Sequence, residues 1–224
     1  MQSAQSHMDA LKAKLDSFET GSFYWTPTQR AILKSMSEAL CSESTVDLAV
    51  HRRSQVTTAA THFMAASMLT VPGFDGVWFS KSRYESDKII ACVRDILQSN
   101  GASFEVDNAE RICVNIDDDK RSFQIFPSSS RNIRGVGGNF LFIDEASYTD
   151  EQMVHEVIVP LLALRNTRLV IGSTLGEDAP EWLEHARASS STRRVEIHAV
   201  CASCLAAGQV TPCVHRVDRK FSYL

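Results

Sequence analysis

Short apolar runs that end in polar clusters punctuate the second half of the chain. Phe140-Leu141-Phe142-Ile143 follows Gly138-Asn139 and runs straight into Asp144-Glu145-Ala146-Ser147. Four apolar residues in a row predict a strand covered on both faces, as in a parallel sheet, with two acids at its carboxyl end. Arg168-Leu169-Val170-Ile171-Gly172-Ser173-Thr174 predicts a second strand with a Gly-Ser-Thr tip. Between them, Met153, Val154, Val157, Ile158, Leu161, Leu162 and Leu164 fall mainly on one helical face, and Pro160 predicts a bend or split there. Strand, helix, strand places two neighbouring parallel strands with their polar tips at a shared edge.

The first half repeats the arrangement. Asp47-Leu48-Ala49-Val50 reads as a strand, followed by the polar run His51-Arg52-Arg53-Ser54-Gln55-Val56-Thr57-Thr58 and an apolar helix over 59–69. Val77-Trp78-Phe79 is a further strand. Residues 105–126 predict a β-hairpin: Ile112, Val114 and Ile116 alternate, Asp117-Asp118-Asp119 turn the chain, and Phe123 and Ile125 return. The three aspartates lack the Gly-x5-Glu continuation of a calcium loop and read as a solvated turn. Met8 to Phe18 predicts an amphipathic arm that packs on the domain or on a neighbour.

With 224 residues, 44% of them hydrophobic and 22% charged, the chain is long enough for one sizeable core. A net charge of −4 gives no global basic footprint, so any nucleic-acid contact rests on local patches. Lys81, Arg83 and Lys88, and Arg193-Arg194, are the candidates, with solvated surface as the plain alternative. No apolar run reaches the length of a membrane span, and a start carrying Asp9 and Lys12 in a helical pattern is not a signal peptide.

Chemistry concentrates at the strand ends. Adjacent acids on a buried strand suit an ATP-driven motor, the first orienting Mg²⁺ and the second activating water. The polar run after Val50 stands where a phosphate-binding loop belongs, but such a loop ends Gly-Lys-Ser/Thr. Here Gln55 and Val56 replace the glycine and lysine. Thr57 remains as a hydroxyl for Mg²⁺, and Arg52 and Arg53 bring positive charge one turn earlier. Cys41, Cys92 and Cys113 are scattered and read as buried thiols. Cys201-Ala202-Ser203-Cys204 with Cys213-Val214-His215 offers four soft ligands for a tetrahedral Zn²⁺, with surface thiols as the alternative.

Taken together, these motifs resemble the ATPase domain of a large terminase subunit, the viral DNA-packaging motor, and most of all the herpesvirus type. Its loop Pro-Arg-Arg-His-Gly-Lys-Thr aligns with His51-Arg52-Arg53-Ser54-Gln55-Val56-Thr57, a degenerate Walker A loop. Phe126-Pro127-Ser128-Ser129-Ser130-Arg131-Asn132-Ile133-Arg134-Gly135 matches a serine-rich stretch ending in Arg-Gly, followed by the Walker B strand at Asp144-Glu145. Herpesvirus terminases also carry a Cys-x2-His and then a Cys-x-Cys near the position of the Cys/His segment.

The resemblance implies a three-layer α/β P-loop NTPase fold of the ASCE type around a central, mostly parallel sheet. It assigns Asp144 and Thr57 to Mg²⁺, Glu145 to the catalytic base, and Arg134 to a trans-acting finger or a loop pin. Arg52, Arg53, Ser54, Gln55, Val56, Thr57 and Thr58 become the ATP-binding loop. Gln29 takes an adenine-reading place, with a solvated helix-start glutamine as the alternative, and Gly172, Ser173 and Thr174 form the coupling segment.

It further implies a helical arm over 1–22, an ATPase domain over 23–200 and a Cys/His segment over 201–224, without the nuclease domain of large terminases. The partners implied are double-stranded DNA, other terminase subunits and the capsid portal, in a ring or hetero-complex and away from membranes. The location implied is the host nucleus for a herpesvirus-like protein and otherwise the infected cytoplasm. The Gln55-Val56 departure leaves two further readings open: a catalytically degenerate interaction subunit, and a helicase-like translocase.

Overall fold

The computed structural model describes residues 4–19, 23–42, 44–52, 54–129, 133, 136–165, 167–198, 203–204 and 207–208. In chain order the elements are α1 (Ala4–Ser17), α2 (Pro27–Cys41), β1 (Thr45–Val50), α3 (Val56–Thr70), β2 (Asp75–Ser80), α4 (Arg83–Ser99), β3 (Phe104–Asp107), β4 (Arg111–Ile116), β5 (Asp119–Pro127), β6 (Phe140–Ile143), α5 (Glu151–Met153), α6 (Val159–Arg165), β7 (Arg168–Thr174), α7 (Glu181–Ala188) and β8 (Thr192–Ile197). They build an eight-stranded sheet in the order β3-β4-β5-β2-β6-β7-β1-β8. Every neighbouring pair from β5 to β8 is parallel, while β3, β4 and β5 join antiparallel. The fold is thus a three-layer α/β sandwich around a mostly parallel sheet, with β7 lying between β1 and β6.

Residue-by-residue alternation explains the layers. Phe140 and Phe142 of β6 point into the larger core with Trp78, Leu48, Phe63 and Met64, under α1–α4. Leu141 and Ile143 point the other way, to Ile158, Trp182 and Leu183. Both faces are covered, so the strand is apolar throughout. Helix α3 is buried over most of its length, because α1, α2 and α4 pack around it. Leu11 and Leu15 seat α1 in this core, and Trp25 Nε1 donates to Leu15 O at 3.0 Å. The amphipathic arm therefore packs on its own domain.

Several local expectations change. The hairpin turn is Asp117-Asp118 alone, both left-handed, which suits a tight two-residue connection. Asp119 opens β5 and accepts the Gly73 N–H at 2.8 Å. The hairpin also gains β3 and joins the main sheet through β5 and β2. The irregularity expected at Pro160 lies just before it, as a π-helical turn over Val154–Ile158 in which Val159 N–H reaches Val154 O. A wider turn there accommodates a residue with no N–H and a bulky ring. Cys113 is buried and Cys92 half-buried, but Cys41 lies exposed on the last turn of α2, contrary to expectation, because that turn leaves the core at Ser42. No helix among the described residues is long and apolar enough to cross a membrane.

Candidate functional site

Parallel strands bring their carboxyl tips to one edge, where β1, β7, β6 and β2 meet. After β1, the Ser54 N–H donates to His51 O at 3.1 Å and the Ser54 hydroxyl bonds the same carbonyl, closing a tight loop. Gln55 then takes φ 58° and ψ 42°, the left-handed region that favours glycine, and its carbonyl starts α3 by accepting the Ala59 N–H at 3.1 Å. The loop keeps the backbone turn of a glycine while carrying a glutamine. No side chain caps α3, so the N–H groups of its first turn are not satisfied from the cap position.

Gln29 is buried rather than solvated. It completes a capping box with Thr26, and its amide Nε2 donates to Gln55 Oε1 at 3.0 Å. Val56 is half-buried against the larger core, and Thr58 O lies 2.9 Å from His62 Nδ1.

The Thr57 hydroxyl donates to Asp144 Oδ2 at 3.0 Å, joining the first turn of α3 to the tip of β6. Asp144 is buried, and this burial pushes its carboxyl up to about 7; the Thr57 bond opposes the shift and the neighbouring Glu145 charge adds to it. A hydroxyl and a carboxylate are hard oxygen donors, and a cation beside them would offset the buried charge. The donor set therefore fits Mg²⁺.

Glu145 is left-handed, with φ 49° and ψ 55°, and leads into a single 3₁₀ turn over Ala146–Tyr148. Its carboxylate lies 3.1 Å from Lys81 Nζ, which also sits 3.5 Å above the Tyr148 ring. Register explains the meeting. Phe79 pairs with Ile143, Asp144 N–H continues the ladder to Phe79 O, and two steps on Lys81 faces Glu145. Desolvation pulls the Lys81 amine down, but the hydrogen bond and charge of Glu145, with Tyr148, raise it above the ordinary value.

The remaining expected residues divide between two faces of the sheet. Arg52 pairs with Glu177, beyond the tip of β7. Gly172 lies under Phe142, whose ring would stand 3.1 Å from an added Cβ. Thr174 ends β7 half-buried beside Val50. Ser173 turns away from α3, its hydroxyl donating to buried Asp47 at 3.0 Å and accepting from Arg187 Nη2 at 3.1 Å. Arg53, Arg134, Cys201, Cys213 and His215 lie outside the described residues. Cys204 is buried, and among the described residues no group of three or more His, Cys, Asp or Glu side chains forms a metal cluster.

Of the basic residues considered for nucleic acid, Lys81, Arg83, Arg193 and Arg194 are each ion-paired within the chain, and Lys88 lies over Tyr84 at 4.1 Å. The Lys81 contact with Glu145 had one signal in the sequence: a lysine directly after a parallel strand, at the same edge as the acids.

No family model and no curated protein matches the chain. Solved structures do. The large-terminase ATPase domain of Thermus phage P74-26 matches with a TM-score of 0.57 at 15% identity, over 74% of this chain and 79% of that one. The large terminase of bacteriophage HK97 matches with a TM-score of 0.65 at 11% identity, over 89% of this chain and 45% of that one. The fold is that of a large-terminase ATPase domain. Another such terminase, from a thermophilic bacteriophage and solved with ADP, matches with a TM-score of 0.57 at 14% identity, over 76% of this chain and 45% of that one. The chain thus spans most of an isolated terminase ATPase domain and under half of a full large terminase.

Proposed function

We propose that this chain is a terminase-type ATPase module, of the herpesvirus kind, that hydrolyses ATP with Mg²⁺ to move double-stranded DNA into a capsid. The observation that carries the reading is the Thr57–Asp144 hydrogen bond. It joins residues 87 positions apart and sets a hydroxyl and a carboxylate side by side at the start of an uncapped helix. That helix start, with its N–H groups, is suited to phosphate. Thr57 and Asp144 would hold Mg²⁺, which when bound neutralises charge on the phosphate oxygens. Glu145 takes the proton of the attacking water, and its left-handed backbone aims the side chain out from the strand tip.

Arg53 joins the phosphate loop, and Arg134 acts from a neighbouring subunit of a ring. The partners under this reading are duplex DNA, other packaging subunits and a portal, in the nucleus of the host. Cys201, Cys204, Cys213 and His215 would hold a separate Zn²⁺.

A second reading, an interaction subunit that kept the fold and lost hydrolysis, is favoured by Val56 at the lysine position. The Gln29–Gln55 bond closing the loop points the same way. Turnover of ATP by the wild type and by Glu145→Gln, with and without linear duplex DNA, separates the two. A motor hydrolyses ATP and loses turnover in Glu145→Gln while still binding nucleotide. A chain that neither binds nor hydrolyses ATP with DNA present is the interaction subunit.

A further inference from the structure

We propose that Lys81 is the phosphate-binding lysine of this site, supplied from the tip of β2 in place of the one missing at position 56. Its partner would be the terminal phosphate of a nucleoside triphosphate. The inference rests on reading the site as a nucleotide site.

The loop itself offers no lysine, since Val56 packs against the core. Arg52 reaches Glu177, beyond the tip of β7, rather than the Asp144–Thr57 pair. Lys81 stands on a firm base. Ser80, just before it, is buried with its hydroxyl 2.6 Å from that of Ser86, and Ser82, just after it, caps α4 through the Glu85 N–H. From this base its amine reaches the second acid of the strand tip, 3.1 Å from Glu145, next to the Asp144–Thr57 pair.

Its present partners are a carboxylate and a ring face, each a weaker anchor for an ammonium than a phosphate group. The side chains of Lys81 and Glu145 are 38% and 44% exposed, and an ion pair that open to water is worth little, so exchange is easy. The exchange has a second effect. Until a triphosphate draws the lysine away, the carboxylate that must accept a proton is occupied by it. One side chain thus reports that the terminal phosphate is present and releases the base.

The test is the affinity of the full chain for fluorescent, ribose-labelled ATP and ADP with Mg²⁺, with thermal melts to confirm folding. Lys81→Met should weaken ATP by about tenfold or more, the scale of a lost charge-assisted hydrogen bond, and ADP by under about twofold. Lys81→Arg should bind at an intermediate level, and Val56→Lys added to Lys81→Met should recover ATP affinity. Glu145→Gln should bind ATP several-fold more tightly than wild type by removing the competitor, a gain of the order expected for releasing a surface ion pair.

If Lys81→Met leaves ATP unchanged, or weakens ATP and ADP alike, Lys81 does not hold the terminal phosphate although nucleotide binds. Weakening by Arg53→Ala alone, with Lys81→Met silent, likewise removes Lys81 from the phosphate. A wild type that binds neither nucleotide overturns the nucleotide-site reading itself and this proposal with it.

Discussion

His62 sits on the buried side of α3 among aromatic rings, stacked on Phe23 at 5.5 Å and edge-on to Trp25 at 5.0 Å and Phe18 at 5.6 Å. Desolvation depresses its pKa, and the Thr58 carbonyl only partly offsets that. A base with a depressed folded-state pKa is protonated first in the unfolded chain. Its contribution to stability is complete above the ordinary imidazole value of about 6.5, and it is lost as pH falls below that value through the folded one. Between pH 7.5 and pH 5 the urea midpoint of the wild type should therefore fall relative to that of His62→Phe, the raised Asp144 carboxyl, which acts the opposite way in this window, being common to both proteins. Equal changes in both proteins would remove His62 from the account.

At the scale of elements, a buried polar network pins α7 to the strand that carries the loop. Asp47 on β1 is fully buried, bonded by Arg187 Nε at 2.8 Å and by the Ser173 hydroxyl. Arg187→Met leaves that charge with only the Ser173 hydroxyl and the Arg194 guanidinium 3.9 Å away, and should cost about 3 kcal/mol, read as a shifted urea midpoint. Asp47→Asn combined with it should return most of the loss, because no charge is then left unpaired. If the double variant is as unstable as the single, packing of the Arg187 stem matters more than its charge.

Elements were legible in the sequence in proportion to their burial. β6 and β7 are covered on both faces and spell continuous apolar runs, so the acids and the Gly-Ser-Thr tip could be placed at a strand edge. β8 could not be seen. It is an edge strand whose Arg193, Arg194 and Glu196 face water, and Arg193-Arg194 reads as a basic patch instead. The face to which Ser173 points was hidden too, since alternation sets parity but not which side α3 covers. Lys81 and Glu145 meet through the β2–β6 register, which no local pattern encodes.

For the molecule as a whole, Mg²⁺ and ATP are expected to stabilise through the native state alone. At about a hundred times the dissociation constant the gain is about 2.7 kcal/mol, which raises the melting temperature of a chain this size by roughly 5 °C or more. Chelation by EDTA should abolish the magnesium share of that rise; a melt unchanged by both ligands speaks against the site. The Thr57–Asp144 bond carries a consequence for how the chain folds. Thr57 opens the helix that follows β1 and Asp144 follows β6, and these two strands are separated in the sheet by β7, which comes later in the chain than either. The pair therefore forms only once three strands far apart in sequence have docked, a late step in a topology dominated by distant pairings. Interactions absent from the folding transition state act on unfolding. Magnesium nucleotide should thus slow escape from the native state and leave the refolding rate as it was, making the site a lock on the finished sheet rather than a template for building it.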